Sequence, residues 1–296
     1  VRNSFLSLQL ASALLILAAL LGGNGASAQM IGRFDDEKEG DFQRWIETGR
    51  FRPFLEFNYG TSVPQHRLLS DDFARNGLVE LKLGWSAVDD FKPQVVSLDE
   101  RYAFGSYFAR DLDMIEGEDP GIVPTKFTRF GVGNRLGYGY YLGPVALELY
   151  NQNSMNWTQV EATEADSLSI DGQTVFERYG DVYRFGNLFE AGVKVQLARR
   201  VSVSAGLEGA VIYPRHVFFQ WLGSALLYSA GQGGLQYFAG KIVELSPVFG
   251  PLLHFALKNG LSLAYYLAVR DDMNWPWTSE TPLTLESFKL GASVTF

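Results

Sequence analysis

Apolar residues alternate with period two over segments long enough to cross a bilayer, and this constrains the fold more than any other feature. In the last such segment Phe288, Leu290, Ala292, Val294 and Phe296 share one face, while Lys289, Gly291, Ser293 and Thr295 share the other. A strand sends successive side chains to opposite faces, so the segment has one apolar and one polar surface. Apolar toward lipid and polar toward a lumen is the pattern of a transmembrane β-barrel. Past residue 28 no apolar stretch reaches the roughly 18 residues of a spanning helix.

Turn residues divide the alternation into hairpins. A run through Phe185, Phe189, Val193 and Leu197 meets one through Val201, Val203, Leu207 and Val211 across Ala198-Arg199-Arg200. Two further tight turns fall at Leu142-Gly143-Pro144 and between Asp89 and Pro93. In "HFALKNGLSLAYYLAV" apolar residues alternate on both sides of Asn259-Gly260, and Asn-Gly favours a tight hairpin because both residues tolerate positive φ. Longer polar connections lie near residues 61–76, 110–126, 158–180, 216–240 and 271–284. Short turns at one end and long loops at the other predict an up-and-down antiparallel barrel over residues 53–296, with about ten strands. A soluble β-sandwich also alternates, but it does not need lipid-length strands in every segment.

Two stretches fit the strand pattern poorly. Pro247 and Pro251 fall in "VELSPVFGPLLHF", where a ladder needs N–H donors. In "HVFFQWLGSALLYSAG" Phe218, Trp221, Leu222, Ala225 and Leu226 recur at helical spacing. The latter predicts a short helix on the rim or in the lumen; read as two strands it makes the barrel twelve-stranded.

The N-terminus reads as a secretory signal peptide over residues 1–28: Arg2, an apolar run from Phe5 to Leu21, and Ala26-Ser27-Ala28 as the cleavage motif, with cleavage after Ala28. Residues 29–52 form a periplasmic extension, in which "DFQRWIETGR" suggests a short helix capped by Asp41. Alternation that ends in Phe296 resembles the C-terminal assembly signal of bacterial outer-membrane proteins. That resemblance, carried by the last strand, implies an outer-membrane location and insertion by the outer-membrane assembly machinery. A net charge of -8 argues against a nucleic-acid partner, and the absence of Cys excludes thiolate metal sites.

Assigning the non-lipid face strand by strand sends Glu56, Glu80, Lys82, Asp99, Arg101, Arg129, Arg135, Glu148, Arg184, Glu190, Lys194, Glu208, Glu244 and Lys289 toward the lumen. Acids and bases balance in that set. Charges kept from water must be paired, so a balanced ladder predicts a filled, salt-bridged interior, whereas selective pores carry an excess of one sign. Gly131, Gly133, Gly137 and Gly139 share the inward face of Arg129 and Arg135, leaving room for long side chains or a bend. No helix follows them, which removes the phosphate-loop reading.

Outer-membrane hydrolases of the phospholipase and lipid A deacylase kind place a His two residues before a nucleophilic Ser, on one strand face. His66, His216 and His254 lack that neighbour. Ten-stranded omptin-type proteases need a His and an Asp two residues apart together with an Asp pair; Asp71-Asp72 and Asp111 with Asp113 are acid pairs, but no His stands so beside an Asp. His254 is assigned to the lumen, near Glu244 or Glu208. No catalytic set, metal site or cofactor emerges. The expected function is a non-enzymatic surface or envelope protein with a charge-paired, largely closed lumen. A narrow porin-like solute channel and an envelope hydrolase acting on lipid or peptide are the alternatives.

Overall fold

The computed structural model describes residues 51–69, 73–92, 94–113, 123–162, 169–180 and 182–296. The signal peptide, the extension up to residue 50 and Asp71-Asp72 lie outside the described residues. Eight strands follow: β1 (Arg52–Gln65), β2 (Asn76–Lys92), β3 (Val95–Ala109), β4 (Thr125–Leu142), β5 (Val145–Ala162), β6 (Arg184–Ala198), β7 (Val201–Ile212) and β8 (Leu283–Thr295). Each pairs antiparallel with its sequence neighbour, and β8 returns to β1 with Phe54 opposite Thr295 and Gln65 opposite Thr284. Closure leaves no strand edge unpaired, which an open sheet in lipid would not survive. This is the architecture of bacterial outer-membrane β-barrel proteins.

The expected short turns join β2 to β3, β4 to β5 and β6 to β7. Gly143 takes a φ of 67° in the second of them, a conformation that favours a residue without Cβ. In β8, Phe288, Leu290, Ala292, Val294 and Phe296 point outward and are exposed, while Lys289 and Ser293 point inward and are buried.

The strand count is eight rather than ten or twelve, because the segment between β7 and β8 is helical. Helix α1 (Ile170–Phe176) lies between β5 and β6; α2 (Phe218–Leu245) and α3 (Gly250–Asp271) form a hairpin. Asn259-Gly260 therefore sits inside α3 and makes no turn. The Asn259 side chain donates to Phe255 O one turn back (3.0 Å) and to Tyr150 O on the barrel (3.3 Å). Pro251 occupies the first turn of α3, where a missing N–H costs nothing. The helix from Phe218 is long, not short, and lies neither on the rim nor in the lumen: α3 packs against the outer face of β4–β7, and α2 packs on α3 and reaches the wall at Phe185, Phe189 and Asn153.

Inside the barrel the loop end is apolar. Leu78, Phe108, Phe127, Ile212 and Leu283 point inward there, and Phe176 and Tyr179, at and just after the end of α1, pack on them from above. Ser169 caps α1 by accepting from Gly172 N (3.0 Å), and Leu283 N donates to the Tyr179 hydroxyl at 2.9 Å, tying this lid to β8.

Candidate functional site

Beneath the lid the lumen is ionic. Eight strands enclose a bore about wide enough for side chains to fill, and inward positions on all eight supply charges, most of which meet across it. Arg135 on β4 donates to Glu56 on β1 (2.8 and 2.9 Å) and to Glu100 on β3 (2.8 Å). Arg129, three pleat repeats toward the loops, donates to Glu208 on β7 (2.6 Å) and Glu80 on β2 (3.2 Å). Lys289 on β8 reaches Glu80 (3.0 Å), Glu190 (2.6 Å) and Glu208 (2.5 Å). Lys82 approaches Glu56 and Glu80, both at 3.4 Å, and Lys194 pairs with Glu100. All of these side chains are buried.

Neutral groups knit the ions together. Gln152 accepts from Lys82 Nζ (3.1 Å) and Arg135 Nε (3.2 Å) and donates to Glu190 (2.9 Å), so one amide bridges three charges. The Tyr150 hydroxyl donates to Glu190 (2.6 Å), and its ring lies under the Arg135 guanidinium at 4.4 Å. Asn58 donates to Glu56 (3.0 Å) and Ser106 to Glu80 (2.8 Å). Each added partner offsets part of the desolvation cost of a buried ion, which one Coulomb contact rarely covers. Glu148 stands apart: it faces Lys194 in the β5–β6 register, is buried, and neither carboxylate oxygen accepts a hydrogen bond.

Several assigned residues lie elsewhere. On β3 the faces are reversed: Glu100 is inward, while Asp99 and Arg101 point outward and approach each other at 3.6 Å. Glu244 belongs to α2, outside the barrel, where it meets Lys241 (3.0 Å). His254 belongs to α3 and packs edge-on against the outward ring of Tyr138 (4.8 Å), with Nε2 3.0 Å from Gln236 Oε1, so it has no contact with Glu208. Arg184 is at the loop-end mouth, half-buried, and donates to Arg178 O. Gln152, Tyr150, Asn58 and Glu100 were missed; the first three are uncharged, and their signal was only an inward polar position on an otherwise clean strand.

Gly131 and Gly133 do face inward. A Cβ at Gly133 would stand 2.8 Å from the Tyr102 hydroxyl, and one at Gly131 2.8 Å from the Phe104 ring, so their absence admits those side chains. At the loop end an open pocket of about 500 Å³ is lined by Arg110, Asp111, Pro124, Thr125 and Lys126.

No protein-family model matches this sequence, and no curated protein does. Among solved structures, Neisserial surface protein A is 10% identical with a TM-score of 0.40, over 82% of this chain and 97% of that one. Ail, the attachment invasion locus protein of Yersinia pestis, is 8% identical with a TM-score of 0.29, over 83% and 98%. The Ralstonia pickettii toluene transporter TbuX is 10% identical with a TM-score of 0.18, over 55% and 65%. Likenesses this distant add nothing to what the strand register shows by itself.

Proposed function

We propose that this chain is an outer-membrane protein that works from its exposed surface, with a lumen closed to solute. The observation that carries this reading is the cross-barrel lattice in which Arg129, Arg135 and Lys289 each bind carboxylates from two or more strands. A solute path would have to break several of these contacts at once, and each leaves a buried charge unpaired. The lid of Phe176 and Tyr179 supports the same reading from the loop end. A secreted precursor cleaved after Ala28 and insertion by the outer-membrane assembly machinery complete it, supported by the leader and by the last strand ending in Phe296.

The test is single-channel recording on refolded residues 29–296 in a planar bilayer. A silent membrane is expected. Steady open steps from the native chain would overturn the closed-lumen reading in favour of a channel, and their ion preference would then report the lumen charge.

A further inference from the structure

The outer wall differs from one side of the barrel to the other. On β1, β2 and β8 the outward residues are mostly apolar, and Leu55, Phe57, Leu83 and Leu290 among them are exposed. On β5 and β6 the outward positions include Asn151, Asn153 and Asn187. An amide facing acyl chains without a partner is costly, because nothing replaces the hydrogen bonds it made to water. The α2–α3 hairpin covers the first two of these asparagines: Asn151 donates to Asn259 Oδ1 (2.7 Å) and Ser262 Oγ (2.9 Å), and the Tyr228 hydroxyl donates to Asn153 Oδ1, while Asn187 donates to the Tyr213 hydroxyl (2.8 Å) just past β7.

The hairpin runs the full height of the wall. At the loop end Trp221 packs on Phe185 (5.0 Å), and midway Tyr265 packs on Phe189 (5.6 Å). Beside the short turns, Tyr140 donates to Val248 O (2.7 Å) and Lys92 to Glu244 O (2.9 Å). At 1.5 Å per residue α2 and α3 measure about 42 and 33 Å, against a hydrocarbon core of about 30 Å.

Its faces are inverted relative to a helix of a water-soluble protein. The buried seam carries Ser224, Tyr228, Gln232 and Gln236 on α2, and His254, Lys258 and Ser262 on α3, each set spaced by four. Gln232 donates to Ser262 Oγ (2.9 Å) and Lys258 O (3.2 Å), Lys258 Nζ donates to Gln232 O (3.2 Å), and Ser224 pairs with the Tyr265 hydroxyl (2.7 Å). The outward face carries Phe219, Leu227, Phe238, Leu252, Leu263 and Leu267, all exposed. From Phe218 to Gly240 there is no Asp, Glu, Lys or Arg, and from Gly250 to Val269 only Lys258, which is buried. Among the described residues no helix is apolar enough by itself to cross a membrane. The seam residues lower that average, and most of their polar groups are paired between the helices and against the wall, with Gln232 Oε1 and His254 Nδ1 the exceptions.

We propose that the α2–α3 hairpin crosses the bilayer beside the barrel, polar seam inward and apolar face against lipid acyl chains. The inference rests on the outer-membrane reading of the barrel, since whatever lies along the whole height of a spanning wall shares its solvent. The native chain has no Cys, so single cysteines report position cleanly. Leu227→Cys and Leu263→Cys probe the hairpin, Leu290→Cys the bare barrel wall, and Arg199→Cys a turn in water; all four native residues are exposed, so folding is little disturbed. Each variant is reconstituted in phosphatidylcholine vesicles, labelled with bimane and read for quenching by brominated acyl chains, with a membrane-impermeant maleimide in parallel.

Expected are quenching at 227 and 263 within about twofold of that at 290, and maleimide labelling slowed about tenfold or more relative to 199. Quenching at 290 but fast aqueous labelling at 227 and 263 would overturn the hairpin assignment and leave the barrel reading standing. No quenching at 290 would overturn the barrel reading and the inference with it. Protection of 227 and 263 from both reagents would mean that a second protein surface, not lipid, covers the hairpin.

Discussion

Arg135 holds Glu56 and Glu100 together with its side chain fully out of solvent. Arg135→Met leaves those two carboxylates facing each other in a dry lumen, and the expected loss is about 3–5 kcal/mol, read as a lower urea midpoint for the refolded protein in micelles. Adding Glu56→Gln removes one orphaned charge and is expected to recover part of the loss. Gly133→Val puts a branched side chain where 2.8 Å separates Cβ from the Tyr102 hydroxyl, and about 1–3 kcal/mol of overpacking is expected on the same assay. Two histidines at the loop end respond to pH. His66 Nε2 lies 3.2 Å from Thr281 O, and His216 stacks on Phe185 at 4.9 Å; burial holds both below the ordinary value of 6.5. The unfolded chain therefore binds more protons than the folded one as pH falls past 6.5. The stability these residues contribute is present above that value and lost as pH drops through their depressed values. Amide exchange at Leu69 and Tyr213, corrected for intrinsic rates, is expected to be faster at about pH 5 than at about pH 7.

The helical hairpin is the element whose removal says most about the wall. Excising Phe218–Asp271 and joining β7 to β8 directly keeps every strand pair but leaves Asn151 and Asn153 facing lipid without their partners. The expected result is a lower folded fraction by heat-modifiable gel mobility, restored when both become Leu. The same element shows why the sequence was misread there. In "HFALKNGLSLAYYLAV" the apolar residues do alternate, but the residues that contact protein are His254, Lys258, Ser262 and Tyr265, recurring every three to four positions. Helical periodicity was carried by polar residues, the reverse of the usual rule, because the exposed face of this helix is its apolar one. Pro247 and Pro251 already spoke against strands, and both fall at the hairpin bend or the first turn of α3. On β3 the run Asp99-Glu100-Arg101 puts charge on both faces whichever way the strand is turned, and only packing of Tyr102, Phe104 and Phe108 into the lumen decides it. Strands with clean alternation, such as β2, β4 and β8, were legible down to the direction of Glu80, Arg129 and Lys289.

At the scale of the molecule, the closed ring and its ion lattice resist opening, and the α2–α3 hairpin contributes nothing to that closure because it lies outside it. Deletion of residues 217–239 is therefore expected to leave the planar bilayer silent. Combined Arg129→Ala and Arg135→Ala, which empties the widest cross-barrel contacts, is the change expected to admit ions, with current noise above that of the native chain as the readout. Cladding β4–β7 with a hairpin while Leu55 and Phe57 of β1, Leu83 of β2 and Leu290 of β8 stay exposed has one more consequence. A plain eight-stranded cylinder looks much the same from every bearing in the plane of the membrane, and neighbours meet it without preference. This molecule has a front and a back, so its heading among crowded lipids and proteins becomes a property on which selection can act.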